Sequence, residues 1–295
     1  MQCSKNCNRS HGRVVSFLCF VWSFLIVASM AHAHDGTIVE VPKLSEPVLI
    51  DGDLSDLSSQ AWSSGLWDLD RMKKQAWFVD NPWPMEMFDS AKEPSGTANT
   101  PKDIMGEYFM AWDDNGLYLA VRATDNVHDV TVGHEVPWGW YMKDGCSWFI
   151  DVRHDGDGWM TLYGDHVFSF IADDTDDVNN TWWRHGDNSA PTMEKVNRGI
   201  VGAGWRMSKS WIEEPGHWMW KSAVVIDESN GTDYVIEAFV PFGEDWMETP
   251  RPGDTVGLMI VHSDADGGKK PFGGQIQLFG SGDHDGTWAD MVFTD

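Results

Sequence analysis

Aspartate side chains placed close together in the chain are the groups best suited to chemistry. They recur at short spacing in four turn-like segments, Asp151–Asp157, Asp173–Asp177, Asp264–Asp266 and Asp283–Asp285. Calcium takes several oxygen ligands, and tight turns rich in carboxylates can supply them. None of these segments has the twelve-residue loop with a terminal glutamate that marks an EF-hand. Each segment is therefore either a cation site or an ordinary solvated turn.

Catalytic motifs are missing from the sequence. It contains no Gly-x-Ser-x-Gly, no His-Glu-x-x-His and no phosphate-binding loop. The eleven histidines are scattered, which gives a zinc site little support. Carboxylates are so abundant that no acid/base pair is singled out by its context. We predict no catalytic residues, and an enzyme associated with glycoside hydrolysis is the alternative.

The first 33 residues have the composition of a secretory signal. Three basic residues precede the apolar run Val14–Met30, and Ala31-His32-Ala33 has the small-x-small pattern of a cleavage site. The run is also close to the lower length limit of a membrane anchor, which is the alternative. Residues 1–33 are thus predicted to be a signal peptide and 34–295 a single exported domain, secreted, periplasmic or on the cell surface. Only Cys146 would remain, so no internal disulfide is possible.

The charge of the chain is strongly acidic. The formal net charge is −25, and removal of residues 1–33 would make it more negative, because they carry basic but no acidic residues. Binding to nucleic acid or to anionic lipid requires a basic surface. We therefore predict no nucleic-acid partner, and no membrane contact after signal cleavage. A neutral or cationic partner, or bound calcium, fits the charge.

Segments of alternating apolar and polar residues predict the β-strands that would position the aspartate-rich turns. Tyr108–Trp112 and Leu117–Ala123 predict two arms of a β-hairpin in the middle of a sheet, joined by an Asp-Asp-Asn-Gly turn. Residues 63–102 show no regular pattern, and no amphipathic helix of ordinary length is evident. The fold class predicted is all-β, an antiparallel β-sandwich of jelly-roll type. Further strands are predicted at 47–50, 148–152, 161–171, 218–226, 234–240, 256–261, 275–279 and 288–293, and residues 34–41 are predicted to be a first strand or an approach segment.

An ordered series of short motifs resembles the family 9 carbohydrate-binding modules. The matching pieces are Ile50–Asp56 with Trp62, Ala111–Asp114, Leu117–Val121, Asp144 with Trp148–Asp151, Tyr234–Ala238, Val240–Phe242, Pro252–Gly257, Asp264–Gly267 and Trp288. They extend over nearly all of residues 34–295. The resemblance implies a β-sandwich that holds a sugar between aromatic rings and carries structural calcium.

The resemblance also implies candidate site residues. The candidates for stacking are Trp138 or Trp140 after the hairpin and Phe272 or Phe279 in the closing segment, with Asp144 and His166 as polar partners. The implied calcium ligands are Asp151, Asp155, Asp157, Asp264 and Asp266. The sequence departs from the family at Ser147, where an acidic residue is common. It also lacks a clear arginine on the strand that contains His166.

The function implied is that of an exported, non-catalytic protein that binds a plant- or algal-type polysaccharide or oligosaccharide by aromatic stacking. An accessory part of a polysaccharide-degrading hydrolase system is one alternative. A haem-binding electron-transfer domain of the same sandwich type is another, since His217–Lys221 faintly resembles a Trp-rich segment of that group with methionine and lysine as ligands. A plain strand explains the same segment by its alternation.

Overall fold

The computed structural model describes ten ranges of the chain, and all of them belong to one compact unit, His32–Asp295. The ranges are 36–75, 103–130, 143–156, 164–174, 181–185, 204–207, 221–243, 246–265, 274–281 and 284–295; for 181–185 and 204–207 only the backbone is described. No helix within these ranges is long and apolar enough to cross a bilayer.

Strands dominate the described residues. They are β1 Ile38–Pro42, β2 Trp62–Trp67, β3 Ile104–Trp112, β4 Gly116–Asp125, β5 Gly145–Asp151, β6 Asp165–Ile171, β7 Thr181–His185, β8 Gly204–Met207, β9 Lys221–Ile226, β10 Tyr234–Pro241, β11 Thr255–Asp264, β12 Gly274–Leu278 and β13 Ala289–Thr294. The helices within the described ranges are the four-residue segments α1 Ser55–Ser58 and α2 Leu69–Met72, with a 3-10 turn at Asp285–Thr287.

Two sheets are formed by the described strands. The larger has the order β1-β13-β11-β5-β6-β7-β8, with β12 also paired to β11, and the smaller has the order β2-β3-β4-β10-β9. The β1–β13 pair is parallel and the other strand pairs described here are antiparallel. The predicted all-β antiparallel sandwich is therefore confirmed.

The central hairpin is confirmed as β3 and β4, which lie inside the smaller sheet. Its turn is held by Asp113, whose Oδ1 accepts hydrogen bonds from the N–H groups of Asn115 (2.7 Å) and Gly116 (2.9 Å). An aspartate that bonds the backbone two and three residues later stabilises a tight turn. The apolar side of the hairpin faces the larger sheet and forms part of the main core.

The outer face of the smaller sheet is covered by residues 44–61, which we call the strap. Leu54 and Leu57 of the strap are buried against Phe109 and Tyr118. The strap was predicted to contain a strand at 47–50, which is wrong. Its backbone is bound by side chains instead, since Leu49 N–H donates to the Asp56 carboxylate (2.9 Å). Proline at position 47 also has no N–H for a strand ladder.

Glu237 on β10 anchors the strap turn. Its Oε2 accepts hydrogen bonds from the N–H groups of Asp51 (3.0 Å) and Gly52 (2.9 Å). Burial raises the pKa of the Glu237 carboxyl to about 7, and the nearby Asp56 and Asp51 carboxylates add to the rise. The two backbone hydrogen bonds oppose it but do not cancel it.

We expect Glu237→Gln to change the pH dependence of stability. A raised pKa in the folded state means that the unfolded chain releases its proton first, so Glu237 makes the folded protein less stable as pH rises from about 4.5 to about 7. Glutamine cannot titrate, so the variant should gain stability relative to the wild type over this interval. Urea unfolding of both proteins at pH 5 and pH 8 measures the difference. A difference that does not change with pH would contradict this account.

Candidate functional site

The outer face of the larger sheet carries a group of polar side chains. Along β5, Cys146, Trp148 and Ile150 point into the main core between the sheets. Phe149 belongs to a separate apolar cluster on the opposite face. Since side chains alternate along a strand, Ser147 shares that outer face with Phe149.

Strand register brings further polar residues beside Ser147. Ser147 is paired with Ser169 on β6 and with Val261 on β11, and Val261 is paired with Gln277 on β12. Two residues further along, Ser263 is paired with Gln275. We call these five side chains, from four adjacent strands, the polar patch: Ser147, Ser169, Ser263, Gln275 and Gln277.

The polar patch is linked by its own hydrogen bonds. Ser147 Oγ donates to Ser169 Oγ (2.7 Å), and Gln277 Nε2 donates to Gln275 Oε1 (3.1 Å). Gln275 Nε2 lies 3.4 Å from Ser263 Oγ. The five residues are between 1% and 5% exposed. They are all uncharged, and hydroxyl and carboxamide groups can both donate and accept.

Aromatic residues border the polar patch in the described chain. Phe149 packs edge-on against Trp288, with ring centroids 5.8 Å apart. The Trp288 indole donates to the carbonyl of Ser281 (2.9 Å). On the other side, the backbone of Trp182 on β7 is in register with Ser169. Small-molecule sites commonly combine aromatic side chains with a few placed polar groups.

A buried acidic cluster lies at one end of the two sheets. It consists of Asp125 at the end of β4, Asp144 just before β5 and Asp264 at the end of β11. One carboxylate oxygen of each lies within 4.8 Å of those of the other two. The cluster therefore joins the smaller sheet, through Asp125, to the larger one, and it adjoins Ser263 of the polar patch.

The electrostatics of this cluster are unfavourable for three bare carboxylates. Burial raises the pKa of Asp144 well above its usual range, and the charges of Asp125 and Asp264 raise it further. Hydrogen bonds from the N–H groups of Asp129 and Ala265 act in the opposite direction. Buried like charges require a proton or a cation to balance them. Lys143, next to Asp144 in the chain, is also buried.

A histidine between two tyrosines lies in the core beside the acidic cluster. His262 Nδ1 is 2.8 Å from the hydroxyl of Tyr108, and Nε2 is 2.6 Å from the hydroxyl of Tyr234. Burial lowers the pKa of His262 to about 3, so the ring is neutral. A neutral imidazole has one donor and one acceptor, so one tyrosine accepts and the other donates. A side chain at Gly106 would collide with this network, since its Cβ would lie 2.5 Å from the Tyr108 hydroxyl.

A second acidic group is formed by Asp151, Asp155 and Asp285. The Asp151 carboxylate accepts hydrogen bonds from four backbone N–H groups, those of residues 153–156. Asp155 forms an ion pair with Arg153 (3.0 Å). Local partners thus already balance much of the charge, so this group needs a cation less than the buried acidic cluster does.

The structure places three of the predicted sugar-contacting residues. Asp144 is 0% exposed and belongs to the acidic cluster, and His166 is equally buried in the core side of β6, stacked on Phe168. Phe279 is half-buried with φ of +64° and packs near Trp62 and Trp67 at 5.9 and 5.7 Å. Their roles toward a sugar remain predictions. Trp138, Trp140 and Phe272 lie outside the described residues.

The predicted calcium ligands divide between the two acidic groups. Asp264 lies in the buried cluster, and Asp151 and Asp155 lie in the second group. Asp157 and Asp266 lie outside the described residues. Calcium binding by either group remains a prediction.

Several residues of both sites were missed in the sequence. Asp125 was not recognised as a member of an acidic group, Asp285 was noted in an acidic turn but not named as a calcium ligand, and Asp144 was assigned to the sugar. The sequence did contain an indication of the buried acidic cluster, because Asp125 and Asp264 each end an apolar run. The polar patch had a weaker signal, since Gln275 and Gln277 alternate along a predicted strand.

The sequence profile of the family described as "Carbohydrate family 9 binding domain-like" matches residues 78–277, which is more than half of the chain. The chain belongs to this family. The family is one of carbohydrate-binding domains, and the matched region includes the polar patch and the buried acidic cluster. The resemblance inferred from the short motifs is thereby confirmed.

The solved structures similar to this chain include two of family 9 carbohydrate-binding modules from Caldicellulosiruptor kristjanssonii. The complex with cellotriose is 12% identical, covers 88% of this chain and 94% of its own, and has a TM-score of 0.48. The complex with glucose has the same identity and TM-score and covers 88% and 96%. No curated protein matches the sequence.

The residues of the haem alternative are placed only in part. Lys221 is exposed at the start of β9, the edge strand of the smaller sheet. Met219 lies outside the described residues.

Proposed function

We propose that the chain is an exported, non-catalytic domain that binds a neutral plant- or algal-type polysaccharide or oligosaccharide on the outer face of its larger sheet. The polar patch would form the floor of the site, and aromatic side chains would stack on the sugar rings. Membership of the carbohydrate-binding family supports the ligand class. The polar patch is the observation that supports placing the sugar site on this face.

The chemistry of the polar patch suits a neutral sugar. Serine hydroxyls and glutamine carboxamides can each donate to and accept from sugar hydroxyls. None of its five side chains carries a charge, so an anionic sugar would find no counter-charge among them. A pyranose also has an apolar C–H face that can stack on an indole. The polar patch would thus select the sugar by hydrogen bonds, and the aromatic rings would add contact area with it.

We expect the double variant Ser147→Val, Gln277→Leu to lose about tenfold or more in sugar affinity, because two hydrogen-bonding groups of about 1 kcal/mol each are removed. Calorimetric titration with cello- and xylo-oligosaccharides measures the change. Ser55→Ala, in the strap over the smaller sheet, is a control away from the polar patch. Full affinity in the double variant, with reduced stability, would identify the patch as a structural network only.

Aromatic stacking is tested by Trp138→Ala and Trp140→Ala. We expect at least one of them to weaken sugar binding strongly while leaving the unfolding transition nearly unchanged, because a stacking ring is worth more to the complex than to the fold. Trp182→Ala tests the residue in register with Ser169 in the same titration. Unchanged affinity in both loop variants would remove residues 138 and 140 from the site.

Export and the lack of catalysis are supported by the sequence. The basic, apolar and Ala-x-Ala segments at the beginning favour cleavage before His34. N-terminal sequencing of the exported protein should find His34 first, and a retained Met1 would contradict this. Incubation with xylan or cellulose should release no reducing sugar. Release by the purified domain would support the hydrolase alternative.

Calcium is part of this proposal as a structural ion. The three carboxylates of the buried acidic cluster are hard oxygen donors of the kind that calcium prefers, and their charges repel one another. Asp125, Asp144 and Asp264 would hold it. The ion would supply the positive charge that the cluster requires and would join β4 to β5 and β11 at this end of the two sheets.

A further inference from the structure

Asp144 connects several segments of the chain at the end of the two sheets. Its carboxylate accepts hydrogen bonds from the N–H group of Asp129 and from that of Ala265 (2.6 Å). Its own N–H donates to the carbonyl of Asp129 (3.1 Å), and its carbonyl accepts from the N–H of Ala172 (2.8 Å). Four hydrogen bonds thus join one residue to three other segments of the chain.

The three partner segments each follow the end of a strand. Asp129 comes four residues after β4, Ala172 comes directly after β6, and Ala265 comes directly after β11. Members of the polar patch lie close to these anchor points along the chain, since Ser169 comes three residues before Ala172 and Ser263 two residues before Ala265. Asp144 therefore fixes the ends of strands that carry the polar patch.

Direct contact between Asp144 and a sugar is disfavoured by the same geometry. The residue is 0% exposed, and its two carboxylate oxygens are each engaged, Oδ1 by Ala265 and Oδ2 by Asp129. The remaining acceptor capacity of this carboxylate lies in the buried cluster with Asp125 and Asp264, where a cation is a better partner than a neutral hydroxyl. Asp144 thus has the contacts of a residue that orders other parts of the site.

We infer that Asp144 is a positioning residue for the carbohydrate site, which it orders by tying together the chain segments that follow β4, β6 and β11. The inference rests on the proposed sugar-binding function. Asp113 provides a matched comparison, because its carboxylate also accepts from two backbone N–H groups, those of Asn115 and Gly116 in its own turn. Loss of that carboxylate removes one negative charge and leaves the bonds made by Asp144 in place.

Hydrogen exchange tests the anchoring without any sugar. In the wild type, the amides of Asp129, Ala172 and Ala265 should exchange slowly for residues outside strands, and slowly compared with Ser229 in an exposed turn. In Asp144→Asn, the amide of Asp129 or that of Ala265 should exchange at least tenfold faster, because each is bound by a different carboxylate oxygen and asparagine keeps only one acceptor oxygen. Asp113→Asn should leave both amides protected. Fast exchange of these amides in the wild type would overturn the inference even if the variant fails to fold.

Sugar titration tests the consequence for the site. Both with calcium and in EDTA, Asp144→Asn should lose about 10- to 100-fold in affinity, as expected for a residue that orients others, while Asp113→Asn loses much less. Equal losses in the two variants would assign the effect to a general loss of stability and overturn the inference, and wild-type affinity in Asp144→Asn would do the same. If the wild type binds no sugar, the proposed function fails, whereas the exchange experiment still decides the anchoring.

Discussion

Replacement of His262 by leucine should lower the free energy of unfolding by about 3–5 kcal/mol. The ring of His262 is the shared partner of the buried hydroxyls of Tyr108 and Tyr234. Leucine fills a similar volume but leaves both hydroxyls without that partner in the core, and each buried polar group without a partner costs about 1–3 kcal/mol. Urea unfolding followed by tryptophan fluorescence measures the change.

Two further variants test whether the loss of stability comes from the tyrosine–histidine network. Tyr108→Phe removes one of the two hydrogen bonds and should cost less than His262→Leu. His284→Leu replaces an exposed histidine and should change stability by no more than about 0.5 kcal/mol. A loss below 1 kcal/mol in His262→Leu would mean that the tyrosine–histidine network contributes little to the core.

Calcium should raise the unfolding temperature of the protein by about 5–10 °C. A ligand at 100 times its dissociation constant adds about 2.7 kcal/mol to the stability of a folded protein, and for a domain of this size each kcal/mol corresponds to about 2–4 °C. The protein is stripped with EDTA, and its unfolding is followed with and without millimolar calcium chloride. Magnesium should have a smaller effect, because it favours fewer protein ligands and strict octahedral geometry.

Substitutions in the two acidic groups determine which of them binds calcium. Asp264→Asn should abolish most of the shift if the buried acidic cluster holds calcium, and Asp155→Asn should leave it intact. Asp70→Asn, on the exposed side of α2, is the control for loss of one negative charge. A shift that disappears in Asp155→Asn and persists in Asp264→Asn would place the ion in the second group. No shift in the wild type would indicate that Lys143 or a proton balances the buried carboxylates.

The fold was largely predictable because its strands have clean alternation and turns with the expected residues. The hairpin β3–β4 is the clearest case, with a turn closed by Asp113 as its sequence suggests. The prediction failed where tertiary contacts decide the structure. The strap was given a strand at 47–50, but Glu237, far away in the chain, binds its backbone. Strand β2 was missed because Trp62–Trp67 contains Ser-Ser-Gly and a register shift beside β3.

The candidate site was less predictable because it is assembled from residues distant in sequence. The resemblance to the family correctly indicated a carbohydrate-binding domain. The polar patch depends on the register of β6, β5, β11 and β12, and no single segment shows it. The buried acidic cluster requires Asp125 of one sheet to approach Asp144 and Asp264 of the other. Such proximity between strand ends is a property of the packing of the two sheets.

Calorimetric titration of residues 34–295 with soluble cello- and xylo-oligosaccharides, with and without calcium, tests the central claim most directly. We expect saturable binding of at least one neutral oligosaccharide, with affinity that is insensitive to salt because the floor of the site is uncharged, and with a reduced affinity in Ser147→Val, Gln277→Leu. The absence of heat at millimolar sugar, with the protein folded and calcium present, would contradict the account and mean that this member of the family has lost or changed its sugar site.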